Sequence, residues 1–150
     1  MRVCPAARKN LQAIATIEAA SYPLKLVATL KQFKNFFRTA TSKDHLDIVE
    51  ENKTVLGFAC YSLHKPTRHT CTIWDIAITP AKRRKGAAFT LMSRILEKAQ
   101  KHAIRRVRLK VFKNNLPARA LYGKFGFRRF KTVKKEPGNE VVFIMELLTK

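Results

Sequence analysis

The chain has 150 residues, 46% of them apolar and 27% charged, the composition of a globular domain rather than a disordered tail. Its 31 Lys and Arg against 10 Asp and Glu leave a formal charge of +21, most of it in residues 79–135, where Glu97 is the sole acid. Three scattered cysteines (Cys4, Cys60, Cys71) fit neither a disulfide framework nor a four-ligand zinc site, the four histidines have no metal-binding spacing, and no apolar run suits a signal peptide or a membrane span.

The expectation is therefore a cytoplasmic protein without metal or membrane partner, organised as one domain over residues 1–150. Met1 to Cys4 reads as a short strand cut by Pro5. Asn10 can cap a first helix through about Ala20, with Leu11, Ile14 and Glu18 at helical steps and Ser21-Tyr22-Pro23 ending it. A second helix is expected from about Lys25 to Arg38, its apolar stripe being Leu26, Leu30, Phe33 and Phe37. Three antiparallel strands follow: His45 to Glu51, Thr54 to Leu63 and His69 to Thr79. Tight turns at Asn52-Lys53 and Lys65–Arg68 join them, and Pro80 ends the third. Gly86 opens a helix with apolar residues at Ala88, Leu91, Met92, Ile95, Leu96 and Ala99, a full amphipathic match. Arg106 to Phe112 is a strand, joined to the previous one by a connection long enough for a parallel crossover. A short helix after Pro117 and a hairpin, Phe127 to Val133 and Glu140 to Leu148 around Glu136–Asn139, complete the order βααβββαβαββ. That order predicts an α+β fold around a mixed sheet with helices on both faces.

The most informative passage runs Ile76-Ala77-Ile78-Thr79-Pro80-Ala81-Lys82-Arg83-Arg84-Lys85-Gly86-Ala87-Ala88: strand, basic loop, glycine, helix start. Unpaired N–H groups at a helix N-terminus carry partial positive charge, and Arg83, Arg84 and Lys85 stand beside them. Gly86, Ala87 and Ala88 leave room for an anion to approach the backbone, so the passage reads as a pyrophosphate cradle. The bland reading is a solvated basic turn.

A second passage, Asn114-Asn115-Leu116-Pro117-Ala118-Arg119-Ala120-Leu121-Tyr122-Gly123-Lys124-Phe125-Gly126-Phe127, adds specificity through Asn115, Ala118, Leu121, Tyr122, Gly126 and Phe127. Together the two passages resemble the GNAT superfamily of acyl-CoA-dependent N-acetyltransferases, closest in style to the ribosomal-protein alanine N-acetyltransferase branch. The resemblance implies acetyl-CoA as co-substrate and direct attack of a primary amine (a peptide N-terminus, a lysine or a small amine) on the thioester. It implies backbone contacts to the acyl-pantetheine arm at Ile76, Ala77 and Ile78, whose N–H groups can hold the thioester oxygen. It also implies that Asn115 serves the pantetheine or its loop, and that Tyr122 protonates the departing thiolate. Tyr122 also fits a core aromatic on the stripe of residues 118, 121, 122 and 125.

The branch's usual glutamate base falls where this sequence has Lys110. A lysine is protonated at neutral pH, so the base must lie elsewhere. Asp75 ranks first because it shares the acceptor strand. Glu50, Glu51, His64 and His69 are alternatives, any of them acting through water. Lys110 and Arg108, with no tyrosine between Phe127 and Leu148, favour an acceptor carrying its own carboxylate or phosphate over a ribosomal-protein terminus. The excess charge would steer anionic acyl-CoA inward. It also allows a ribosome-associated substrate or a nucleic-acid contact. An acyl-CoA-binding fold without transferase activity, and a basic RNA- or ribosome-binding module, are the rival readings. Phe112, Phe127 and Phe130 are expected in the core.

Overall fold

The computed structural model describes residues 1–21, 26–64, 69–135 and 140–149. Tyr22-Pro23 and the turns at Lys65–Arg68 and Glu136–Asn139 lie outside the described residues. The elements are β1 (Arg2–Pro5), α1 (Leu11–Ser21), α2 (Leu26–Thr39), β2 (Asp44–Glu51), β3 (Thr54–His64), β4 (Thr70–Ile78), α3 (Ala87–Lys101), β5 (Arg106–Phe112), α4 (Leu116–Lys124), β6 (Arg128–Lys135) and β7 (Glu140–Leu148). This is the expected α+β order, with short 3-10 turns added at Arg8–Asn10 and Pro80–Lys82. The seven strands are ordered β1-β2-β3-β4-β5-β7-β6. The chain divides into two compact units, Met1–Ser62 with Asp75–Ile95, and Leu63–Trp74 with Leu96–Lys150.

In the first unit β2 pairs antiparallel with β1 and β3. The β2–β3 turn is the expected one: Asn52 and Lys53 have φ of 51° and 64°, the pair of left-handed residues that a two-residue hairpin needs to match strand twist. Ile14, Ile17, Phe33, Ile48, Phe58 and Ala77 form the centre of the core, with Phe33 and Phe58 edge to face at 5.3 Å between centroids. Burial of each large side chain contributes about 1.5–3 kcal/mol.

Two expectations about the helices need correction. Asn10 does not cap α1; its Oδ1 accepts the Ala7 N–H at 2.8 Å, closing the 3-10 turn ahead of the helix. The expected stripe of α2 holds at Phe33, which is buried, and at Leu30 and Phe37, which pack against the core, but Leu26 is 39% exposed and Thr29 is buried instead.

A buried polar contact also fixes β2 against β3. The Tyr61 hydroxyl donates to Asp47 Oδ2 at 2.6 Å, and both residues are almost wholly buried. Hydrogen bonds to charged groups contribute roughly 1.5–3 kcal/mol. Tyr61→Phe should therefore lower the melting temperature by about 4–8 °C, measured by thermal unfolding.

In the second unit β4 and β5 run parallel, from Thr70↔Arg106 to Ile73↔Leu109. β7 lies between β5 and β6, antiparallel to both. The hairpin was legible in the sequence, whereas the insertion of its later strand beside β5 was not. Val107, Leu109 and Val111 are buried on one face of β5. Phe127 is buried, but Phe130 is 56% exposed, contrary to expectation, and carries the Arg108 guanidinium 4.7 Å above its ring. Arg119 and Arg129 approach the Phe143 ring at 4.9 and 5.1 Å. Resting guanidinium planes on aromatic faces lets a strongly cationic segment fold. Among the described residues no helix is long and apolar enough to cross a membrane.

Candidate active site

In the first unit, β4 delivers Asp75, Ile76, Ala77 and Ile78 to the basic loop. Side chains alternate along a strand, so Asp75 and Ala77 share a face. Ala77 packs in the core with Ile14 and Ile17 of α1, which places Asp75 on the α1-facing side. Gly57 on β3 permits a close approach here: a Cβ built on it would stand 2.6 Å from the Ala77 carbonyl oxygen and 2.3 Å from Ile78 Cδ1. Just beyond, the Thr79 N–H donates to the Leu56 carbonyl at 2.8 Å. Gly57 escaped the sequence reading, although a lone glycine inside a strand pattern signals such an approach.

Pro80 turns the chain, and Lys82, Arg83, Arg84, Lys85 and Gly86 are all exposed. Arg84 has φ 62° and Gly86 φ 88°. Left-handed residues interspersed in a turn aim successive N–H groups into a concavity that suits anions. A Cβ on Gly86 would meet nothing within 4 Å, so its backbone angle, not crowding, demands glycine and the space above is open. The helix begins at Ala87, one residue later than expected. The Gly86 carbonyl accepts both the backbone N–H and the hydroxyl of Thr90. Ala87 and Ala88 thus supply first-turn N–H groups that a helix leaves without internal acceptors. Arg83 is partly committed elsewhere, donating from Nε to the Ile78 carbonyl at 3.1 Å and from Nη2 to Ser21 Oγ at 3.2 Å. It clamps the end of α1 to the end of β4, a contact that Lys82, Arg84 and Lys85 do not make among the described residues.

Asp75 has a partner that sequence reasoning did not supply. Glu18, on the core-facing side of α1 and 5% exposed, stands against the Asp75 carboxyl. Burial, then the Asp75 carboxyl and its charge, push the Glu18 carboxyl up to about 9. The one available signal was Glu18's place on the apolar steps of α1. Cys60, on β3, is held protonated, pushed up to about 12 by burial and by the charges of Asp75, Asp44 and Glu18. Burial pushes Cys71 to about 12 as well. Neither thiol is a nucleophile at neutral pH, which disfavours a covalent acyl-cysteine route through them.

In the second unit Asn115 is the N-cap of α4, its Oδ1 accepting the Ala118 N–H at 3.3 Å. The Nδ2 side of that amide is not used in capping. Pro117 sits in the first helical turn, as expected. Tyr122 is buried, its ring 5.8 Å from that of Phe127, so it serves as a core aromatic whatever else its hydroxyl does. Lys110 is exposed, and Arg108 is paired with Glu146 at 2.6 Å, which offsets the positive character expected of that strand face.

The other candidate bases are engaged or belong to the second unit. Glu50 is ion-paired with Arg2, and Glu51 lies 3.9 Å from the N-terminal amine. His64 ends β3, and His69, with φ 46°, has a buried Nδ1 without a hydrogen-bond partner among the described residues. Both histidines belong to the second unit.

Residues 11–127 match the acetyltransferase (GNAT) family. The chain belongs to this family, whose members take the acetyl group from acetyl-CoA. It is 28% identical over 75 residues to the L-2,4-diaminobutyric acid acetyltransferase of Virgibacillus pantothenticus, a match spanning 50% of this chain and about half (47%) of that relative. The ribosomal-protein-S18-alanine N-acetyltransferase of Escherichia coli shares the fold at a TM-score of 0.81 and 21% identity, over 98% of this chain and 92% of that one. The Salmonella typhimurium protein yncA, solved with its cofactor acetyl-CoA, does so at 0.75 and 17%, again over 98% and 92%.

Proposed function

We propose that the protein is an N-acetyltransferase acting as one domain, in which a primary amine attacks acetyl-CoA directly. The observation that carries this reading is the strand-to-helix loop, where left-handed Arg84 and Gly86 precede the open first turn of α3. Acetyl-CoA brings the activated thioester and a diphosphate. The Ala87 and Ala88 N–H groups bind the diphosphate, with Arg84 and Lys85 supplying charge and Arg83 holding the loop to α1. The backbone of Ile76, Ala77 and Ile78 orients the acyl arm and donates to the oxygen that gains charge. Asn115 Nδ2 holds the pantetheine side, Tyr122 gives its proton to the departing sulfur, and Asp75 takes the proton of the incoming ammonium.

Exposed Lys110, the tyrosine-free stretch between Phe127 and Leu148 and the diaminobutyrate-acetylating relative together favour an acceptor amine bearing its own carboxylate. The retained free thiols accord with a reducing, cytoplasmic setting. The charge of residues 79–135 supports encounter with polyanions, a ribosome-bound substrate included.

The test is acetyl-CoA binding by thermal shift, followed by thiol release across peptide N-termini, lysine peptides, polyamines, amino sugars and diamino acids. Thiol release with one amine class is expected. A melting-temperature rise with CoA and no thiol release across the panel would leave an acyl-CoA-binding protein. Salt-sensitive RNA binding with indifference to CoA would leave a nucleic-acid module.

A further inference from the structure

The two carboxyls classed as buried among the described residues, Glu18 and Asp47, are satisfied in different ways. Asp47 receives the Tyr61 hydroxyl. Glu18 Oε2 is buried without a donor among the described residues, and the side chain that Glu18 faces is itself an acid, Asp75. Two carboxylates repel, so a hydrogen bond between them exists only while one carries a proton. Glu18, raised to about 9, is the partner that keeps its proton at neutral pH.

We propose that Glu18 and Asp75 form a single proton-sharing pair, in which Asp75 receives the acceptor's ammonium proton and Glu18 is the positioning residue that holds the Asp75 carboxylate in place. This rests on the acetyltransferase reading and gives the chain a substitute for the glutamate that Lys110 displaces. Asp75 immediately precedes Ile76–Ile78 on β4, so the proton acceptor and the N–H groups proposed for the acyl oxygen share one stretch of backbone. The surroundings suit the role. From β3, Cys60 feels both carboxyls and stays a neutral thiol. From the loop, Arg83 ends on the Ile78 carbonyl and Ser21 Oγ. The α2 cations Lys31, Lys34 and Arg38 line an open groove with Arg8 and Leu11.

The step balances without a further reactant. One ammonium N–H bond breaks, its electron pair stays on nitrogen, and the proton goes to Asp75. The freed pair forms the C–N bond at the thioester carbonyl carbon. The C–S bond breaks with its electrons leaving on sulfur. A second nitrogen-bound proton balances the thiol, and the proton on Asp75 passes to solvent.

The test uses the full chain, with acetyl-CoA and an amine on which the wild type releases thiol. Asp75→Asn should lower kcat by at least ~100-fold, while the melting-temperature rise with acetyl-CoA stays at the wild-type value. Glu18→Gln keeps a donor to Asp75 that cannot ionise, so its effect is read from the pH dependence of kcat. Above about pH 9, where the wild-type pair acquires its second charge, the ratio of Glu18→Gln to wild-type kcat should rise at least ~3-fold.

Stability supplies a readout that is independent of turnover. The folded-state pKa of Glu18 lies above its unfolded value, so the stabilisation from its proton is fully present below about pH 4.5 and is lost as pH rises through about 9. The melting temperature of Glu18→Gln relative to wild type should therefore climb by at least ~3 °C between pH 5 and pH 9. A flat difference would overturn proton sharing. Wild-type kcat in Asp75→Asn would overturn the proton-accepting role while leaving the acetyltransferase reading intact. A wild type that binds acetyl-CoA yet releases thiol with no amine would instead sink that reading and the catalytic role with it, while the stability comparison still decides whether the proton is shared.

Discussion

Gly57→Ala is expected to lower the melting temperature by about 3–9 °C and to weaken acetyl-CoA binding at least ~10-fold, measured by thermal unfolding and by titration. The added methyl would sit 2.6 Å from the Ala77 carbonyl oxygen, a backbone atom that has no rotamer in which to escape. The contact at 2.3 Å with Ile78 Cδ1 can be relieved by turning that side chain, but the carbonyl contact requires β3 and β4 to separate by tenths of an ångström. Overpacking of a well-filled site costs about 1–3 kcal/mol. What makes this glycine matter to function is which atoms must move: Ala77 is the middle of the three residues proposed to orient the acyl arm. A variant that loses stability yet binds acetyl-CoA with unchanged affinity would detach Ala77 from the cofactor.

Tyr122→Phe should reduce kcat by roughly 100-fold or more and leave the affinity for acetyl-CoA nearly unchanged, read by thiol release under saturation and by titration. The ring is buried against Phe127, and phenylalanine preserves that packing. The variant therefore separates the hydroxyl from the aromatic body, which the sequence could not do. Losing the hydroxyl forces the sulfur to depart as a thiolate without a positioned proton. An unchanged kcat, with the protein folded, would reduce Tyr122 to a core residue.

Much of the fold was legible because its signals are local. The Ala87–Lys101 helix writes its buried face at helical steps, and the Asn52-Lys53 turn is fixed by two residues whose backbone angles follow from the hairpin itself. The errors arose where a distant neighbour decides. The exposure of Phe130 goes with the Arg108 guanidinium over its ring, and the place of β7 depends on β5. At the candidate site the strand, the basic loop and the α4 cap were legible from residue type and order. The pairing of Glu18 with Asp75 was not, because a glutamate at a helical step gives no sign of what faces it across the core. Nor was the anchoring of Arg83 on Ser21, since an arginine in a basic run looks like a ligand contact until its donors are assigned.

The protonated state of Cys60 and Cys71 bears on how turnover is followed. Alkylating and disulfide-exchange reagents attack the thiolate, and these two sulfurs supply almost none of it in the native protein. A colorimetric sulfhydryl reagent can therefore track liberated CoA continuously with little background from either residue. Denaturation would unmask both, turning the same reagent into a gauge of unfolding.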